Sequence, residues 1–296
     1  QATDDGDQAL CLIRSYVDRG RFDPADVGGK LVGWLDGNPP DVGGTTRRTL
    51  GRLRSGVPWH DAAYADFQRN PGNAANGSLM RNGVLPGICF GQELDLLFRA
   101  TVQHSIVTHY APLPVLCCAV QSWVIADLLG GWGQGPADDP GGWLDHFYAD
   151  WNSYLEDEDD PHVRQWVDRT RGHFQAAGEA IEAAAWTRDA FDPFRTDFAG
   201  RAGYCLLTLQ VGVWALLWSL TKDQFPIPKG FPADAFARRG AWCLAWPALV
   251  GHDSDTTGAT AGPMVAAAHG AVPVELAERL EAVAAFDMLV PSAGKR

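Results

Sequence analysis

Residues 203–220 read GYCLLTLQVGVWALLWSL, an uncharged run of 18 residues. At that length a helix just reaches the lower limit for crossing a bilayer, about 17 residues. Thr208, Gln210 and Gly212 sit in its middle, and basic flanks are missing on one side. The run therefore reads as the central, buried helix of a large helical domain.

The rest of the chain agrees. Apolar residues recur at helical spacing, and no segment shows sustained two-residue alternation. Helices are predicted near 5–18, 24–37, from Gly44 onward, 92–108, 114–129, 143–155, 163–185, 202–220, 233–249, 257–269 and 275–286. Asp5, followed three residues later by Gln8, reads as the capping arrangement that starts the first helix. Pro24 and Gly37 bracket the second. A Gly/Asn-rich loop, GNAANGSLMRNG, interrupts the pattern. Two further stretches, GGWGQGPADDPGGW and the charge run EDEDD at 156–160, read as solvated loops. The expectation is an all-α, single compact many-helix domain over 1–296.

Hydrophobic residues are 46% of the 296, enough for a sizeable core. The net charge of -12 argues against a nucleic-acid or anionic-membrane surface, because both need a basic face. Six cysteines lack metal-finger spacing, and Cys117 and Cys118 lie together in an apolar run. They read as reduced core thiols. With no basic, apolar leader in view, the expected location is cytoplasmic.

Two short stretches at opposite ends share one chemistry: TDDGDQAL at 3–10 and GHDSDTTGATAG at 251–262. Their paired acids give four carboxylates, Asp4, Asp5, Asp253 and Asp255, beside the hydroxyls of Thr3 and Thr256. Hard divalent cations prefer such oxygen donors. Two such ions would match the four negative charges. Helix capping also explains Asp and Thr at helix starts, but a cap needs one side chain and each cluster offers three oxygen-bearing groups. Gly258 and Gly262 are expected to let the second cluster approach another backbone closely. In the third stretch, Asn73, Asn76, Gly77 and Ser78 precede Leu79, Met80 and Arg81. Backbone N–H groups in such a loop cradle phosphate without a basic surface; a plain turn is the alternative.

These stretches, in this order, resemble the ADP-ribosylglycohydrolase family. TDDGDQAL is similar to the family's TDD followed by an apolar helix. DVGGTT at 41–46 resembles its DVGNT-type turn, NGSLMR its NGxxMR loop, and IVTHYAPL at 106–113 its I-T-H segment. GYCLLTLQVGVWAL resembles a late buried helix, and GHDSDTTGATAG a GxDxDTxxAxxG metal motif. The resemblance implies an all-helical fold with a central cleft and a binuclear Mg²⁺ or Mn²⁺ centre. Its ligands would be Thr3, Asp4, Asp5, Asp253, Asp255 and Thr256, with Asp4, Asp5 and Asp255 central to catalysis. Asn76, Gly77 and Ser78 would line the diphosphate of ADP-ribose. Asn73, His109 and Tyr204 would lie near the substrate. The implied reaction cleaves the bond between C1″ of the distal ribose and an acceptor atom, most often an arginine nitrogen. The implied partners are ADP-ribose and ADP-ribosylated proteins or small molecules.

The pattern has three departures. The family's GDALG-type segment and its glutamate are not seen ahead of TDD. Asn73 and Leu207 stand where the dinitrogenase-reductase type has aspartates. A catalytically weak ADP-ribose-binding protein that keeps the metal cleft is the alternative reading.

Overall fold

The computed structural model describes residues 3–130, 135–139, 141–188, 191, 198, 201–220, 247 and 251–270. The helices expected at 233–249 and 275–286 lie outside the described residues, apart from Pro247. Within them the chain forms α1 (Asp4–Arg19), α2 (Pro24–Asp36), α3 (Gly44–Arg54), α4 (Trp59–Ala62), α5 (Tyr64–Arg69), α6 (Leu79–Asn82) and α7 (Leu85–Ile88). It continues with α8 (Leu94–Ile106), α9 (Pro112–Gly130), α10 (Trp143–Asp157), α11 (Pro161–Glu182), α12 (Cys205–Leu220) and α13 (Ser254–His269). No strand occurs among the described residues; one isolated bridge pairs Ala75 with Tyr204. The all-α reading holds.

The centre is α9, which packs on α6, α7, α8, α11, α12 and α13. It is apolar on every side, as a helix surrounded by others must be. It is also the described helix long and apolar enough to cross a membrane, yet 72% of its apolar window is buried inside the fold. The core against it is aromatic: Trp123, Trp143, Phe147, Trp151 and Trp166 are each at most 2% exposed. Burying each such side chain contributes on the order of 2 kcal/mol.

The run at 203–220 becomes α12, buried against α9 and α13. Its polar residues are satisfied within the protein. Thr208 Oγ1 donates to Tyr204 O at 3.2 Å, and Gln210 Nε2 to Ala185 O at 3.1 Å. Leu207 is buried in an apolar cluster with Phe191, Val211 and Val265. The close approach expected at Gly258 occurs elsewhere. Nothing lies within 4 Å of a Cβ built on Gly258, whereas one on Gly212 would meet Met264 Cε at 3.1 Å. One on Gly83 would meet Pro263 Cγ at 2.5 Å. These two contacts seat α13 against α12 and α6.

Two local readings are corrected. The first helix starts at Asp4 with Thr3 as N-cap, not at Asp5. Gln8 does not reach back to cap it, because its side chain is fully buried and accepts from Arg81 Nη1 at 2.7 Å. The EDEDD run is tied down rather than merely solvated. Glu158 is buried beside Arg99 at 2.6 Å, and Asp160 caps α11 by accepting from His162 N and Val163 N at 3.0 Å each. Cys11, Cys89, Cys117, Cys118 and Cys205 are free and buried, as the composition implied.

Candidate active-site cleft

Four segments converge on an open cleft of about 260 Å³: the start of α1, the turn at 41–46, the loop at 75–77 and the start of α13. Asp4, Asp253, Asp255, Thr256, Asn76, Gly77 and His109 line it. Carboxylate oxygens of Asp4, Asp5 and Asp255 all lie within 4.8 Å of one another. Residues from the two ends of the sequence thus share one site.

Capping does not explain this cluster. Neither Thr3 at the start of α1 nor Asp253 at the start of α13 makes a side-chain cap bond. Instead Thr3 Oγ1 donates to Asp5 Oδ2 at 2.8 Å. Asp5 is 2% exposed, and its Oδ1 is buried with no hydrogen-bond partner among the described residues. Burial pushes the Asp5 carboxyl up, the Thr3 hydroxyl opposes the rise and Asp255 adds to it. Asp4 is pushed up to about 7, first by burial, then by the charges of Asp5, Asp41 and Asp255. Asp253 is also raised by burial, against the pull of the Asn76 amide. Like charges this close, with an orphaned buried oxygen among them, fit a bound divalent cation.

The loop is held by its backbone. Asn76 N donates to Gly203 O at 3.0 Å, and Cys205 N to Ala74 O at 2.9 Å. Tyr204 therefore anchors the loop through the bridge to Ala75, and its half-buried ring packs against the core rather than lining the cleft. Asn76 Nδ2 donates to Asp253 Oδ2 at 2.7 Å and to Thr208 Oγ1 at 3.1 Å. Gly77 admits no side chain: a Cβ there would lie 2.9 Å from His109 Cε1 and 3.2 Å from Thr46 Oγ1.

Two residues of the loop do not face the cleft as the resemblance implied. Ser78 is fully buried and accepts from Ser105 Oγ at 2.9 Å and Cys118 Sγ at 3.6 Å. The turn into α6 directs its side chain to the core and away from the cleft. Asn73 Nδ2 donates to Thr45 Oγ1 at 2.9 Å, which ties the loop to the turn at 41–46. That turn was missed as part of the site. Asp41, Gly43, Gly44, Thr45 and Thr46 all line the cleft. The sequence signal was present in DVGGTT: an acid, two glycines and two hydroxyls spanning a helix start.

A model of the family described as "ADP-ribosylglycohydrolase" matches residues 1–293. The chain belongs to the ADP-ribosylglycohydrolase family. Among characterised relatives, this ADP-ribosylglycohydrolase chain is 28% identical over 289 residues to the ADP-ribosylarginine hydrolase Tri1 of Pseudomonas putida (strain GB-1). That match covers 94% of the chain and 62% of the relative. The Serratia proteamaculans (strain 568) Tri1 is 26% identical, with 90% and 59% covered. The chain thus spans about three fifths of the length of these two relatives. The ADP-ribosyl-[dinitrogen reductase] glycohydrolase of Rhodospirillum rubrum is 31% identical over 153 residues, 51% of this chain and 49% of that one. A solved "ADP-ribosylglycohydrolase-related protein complex" has the same fold, with a TM-score of 0.50 at 23% identity over 98% of this chain and 79% of that one.

Beneath the ADP-ribosylglycohydrolase cleft lies a buried cation. Arg81 is fully buried, and all its described hydrogen-bond acceptors are neutral: Gln8 Oε1, Gly77 O, Thr108 Oγ1 and His104 Nε2. Burial lowers it to about 10, which leaves it charged at neutral pH. Its charge offsets part of the acidic cluster above it.

Proposed function

We propose that this chain hydrolyses the bond between C1″ of an ADP-ribosyl group and a modified acceptor, in a cleft that holds two Mg²⁺ or Mn²⁺ ions. The carrying observation is the group of Asp4, Asp5 and Asp255, gathered within 4.8 Å in the first turns of two helices whose N-caps, Thr3 and Asp253, make no side-chain cap bond. With Asp253, Thr3 and Thr256 they form the oxygen-donor set for the ions. When bound, the ions would supply charge neutralisation and Lewis acidity toward the ribose hydroxyls.

The chain's own groups define the rest. Asn76 fixes the Asp253 carboxylate. Gly77 brings backbone close to the ligand. His109, lowered to about 3 by burial and by the Arg81 charge, stays neutral in the cleft wall. The cleft is lined by Asp4, Asp41, Asp253 and Asp255, with no lysine or arginine in its lining among the described residues. That balance favours a cationic acceptor such as an arginine guanidinium, in keeping with the names of the Tri1 relatives.

A second reading is an ADP-ribose-binding protein with weak catalysis. It is favoured by Asn73, whose amide is engaged with Thr45 and cannot take up a proton at neutral pH. One experiment separates the two. The protein is incubated with an ADP-ribosyl-arginine protein, with Mg²⁺ or with a chelator, and free ADP-ribose is quantified. Mg²⁺-dependent release supports the hydrolase. Binding of ADP-ribose without release supports the binder, and neither outcome would sink both.

A further inference from the structure

Three hydrogen bonds, two from Arg81 and one between Thr108 and His109, decide where two buried histidines carry their protons. An arginine offers donors only. Arg81 Nε donates to His104 Nε2 at 2.9 Å. His104 Nε2 is therefore the acceptor, and the His104 proton sits on Nδ1. That nitrogen is buried and has no hydrogen-bond partner among the described residues.

On its other side, Arg81 Nη2 donates to Thr108 Oγ1 at 2.6 Å. Thr108 is fully buried, and the other described partner of its hydroxyl is His109 Nδ1 at 2.8 Å. The hydroxyl has one proton to give. If His109 carried its own proton on Nδ1, Thr108 would accept twice, and its hydroxyl proton would be buried without an acceptor. Buried donors are rarely left so. With the proton on Nε2, the Thr108 hydroxyl both accepts and donates: Arg81 gives to Thr108, and Thr108 gives to His109 Nδ1. His109 Nε2 then carries N–H. This nitrogen lies on the ring edge packed over Gly77, beside the cleft both residues line.

We propose that Arg81, acting through Thr108, is a positioning residue that holds His109 as a neutral Nε2–H donor facing the cleft, while fixing the opposite tautomer in His104. A neutral donor there suits an oxygen acceptor of the ligand, a ribose hydroxyl or a phosphate oxygen. This last step rests on the reading of the cleft as an ADP-ribose site; the tautomers do not. The low proton affinity of both rings, caused first by burial and then by the Arg81 charge, is consistent with their neutrality.

The test is ¹⁵N NMR of the full chain with labelled histidine, assigned with His109→Gln and His104→Gln, in the absence of ligand. The expected spectrum has His109 protonated at Nε2 and His104 at Nδ1. Thr108→Val removes the hydroxyl and should give His109 mixed tautomers, with ADP-ribose binding weakened about tenfold. Thr108→Ser keeps the hydroxyl and should restore both. Should Thr108→Val fail to fold, wild type and Thr108→Ser still decide the matter from the two ring spectra. Nδ1–H on His109 in the wild type overturns the proposal, as does an unchanged tautomer in folded Thr108→Val. Tautomers as stated without any ADP-ribose binding would uphold the relay and sink the ligand reading instead.

Discussion

The Asn76 side chain donates to Asp253 Oδ2 at 2.7 Å, joining a loop to a helix start 177 residues further along the chain. This bond fixes the carboxylate without using it as a helix cap, because Asp253 makes no side-chain cap bond. The same amide reaches Thr208 on α12, so three segments meet at one side chain. Asn76→Asp places a second carboxylate against Asp253 and removes the donor. Bonds to a charged group contribute about 1.5–3 kcal/mol, and a loss of stability of that order is expected. Chemical denaturation of wild type, Asn76→Asp and Asn76→Ser measures it. If Asn76→Asp is as stable as wild type in chelator, the amide is not holding Asp253.

Gly77 gives a steric prediction. A Cβ would press on His109 Cε1 at 2.9 Å, closer than such contacts permit, and crowd Nε2 at 3.1 Å. Gly77→Ala must push the ring or the loop, and overpacking typically costs about 1–3 kcal/mol. ADP-ribose binding should fall at least about tenfold, while Gly172→Ala, on exposed helical backbone with nothing within 4 Å of the added carbon, serves as the control for a general glycine effect. Unchanged ADP-ribose affinity in folded Gly77→Ala would show that the loop does not need close approach.

How much of this was legible beforehand depended on whether the signal was local. The helical periodicity of 203–220 predicted α12, and its polar residues predicted burial in protein, because both are properties of the segment itself. The pairing of Asp4 and Asp5 with Asp255 was legible from chemistry, since both clusters offer more oxygens than capping uses. Side-chain direction was not legible. Ser78 and Gly77 are neighbours, yet one turns to Ser105 in the core and the other lines the cleft. The choice is made by the turn into α6. Gly258 was named for close approach and Gly83 was not, because the Pro263 contact that requires Gly83 lies on a helix distant in sequence.

Metal binding should depend on pH through Asp4. Its pKa is raised from 3.8 to about 7 by burial and by neighbouring carboxylates. The metal-free fold therefore holds a proton between those pH values that the unfolded chain has released. Stability of the metal-free protein falls as pH rises through that window, because the folded state binds more protons there. A divalent cation competes with that proton. The rise in unfolding temperature on adding millimolar Mg²⁺ should be larger at pH 8 than at pH 6. Asp255→Ala, which removes one member of the cluster, should shrink the increment at both. An increment independent of pH, or unaffected by Asp255→Ala, would count against a cation at this cluster.

The last prediction sets Asp41 against Asn73. Both lie at the turn beside the cleft, but only Asp41 lines it. Asn73 is turned to Thr45 at 2.9 Å, and Thr45 Oγ1 also accepts from Arg48 Nη2 at 3.4 Å. Asn73→Asp would place a carboxylate beside the Thr45 hydroxyl, which can donate to it, so the loop should survive the change. If that carboxylate then assists proton transfer, single-turnover release of ADP-ribose from arginine should rise. General acid–base assistance is typically worth about 10²–10⁴-fold. Asp41 is the exposed carboxylate of the cleft that stands outside the close cluster, well placed to meet a cationic acceptor. Asp41→Asn should weaken turnover of an arginine-linked substrate more than that of a neutral one, with ADP-ribose affinity little changed. Measuring both variants on both substrates separates the roles. A large gain in Asn73→Asp with no selectivity change in Asp41→Asn would place the acceptor on the Asn73 side of the cleft. The reverse result would place it against Asp41, and no response in either would move the acceptor away from this turn.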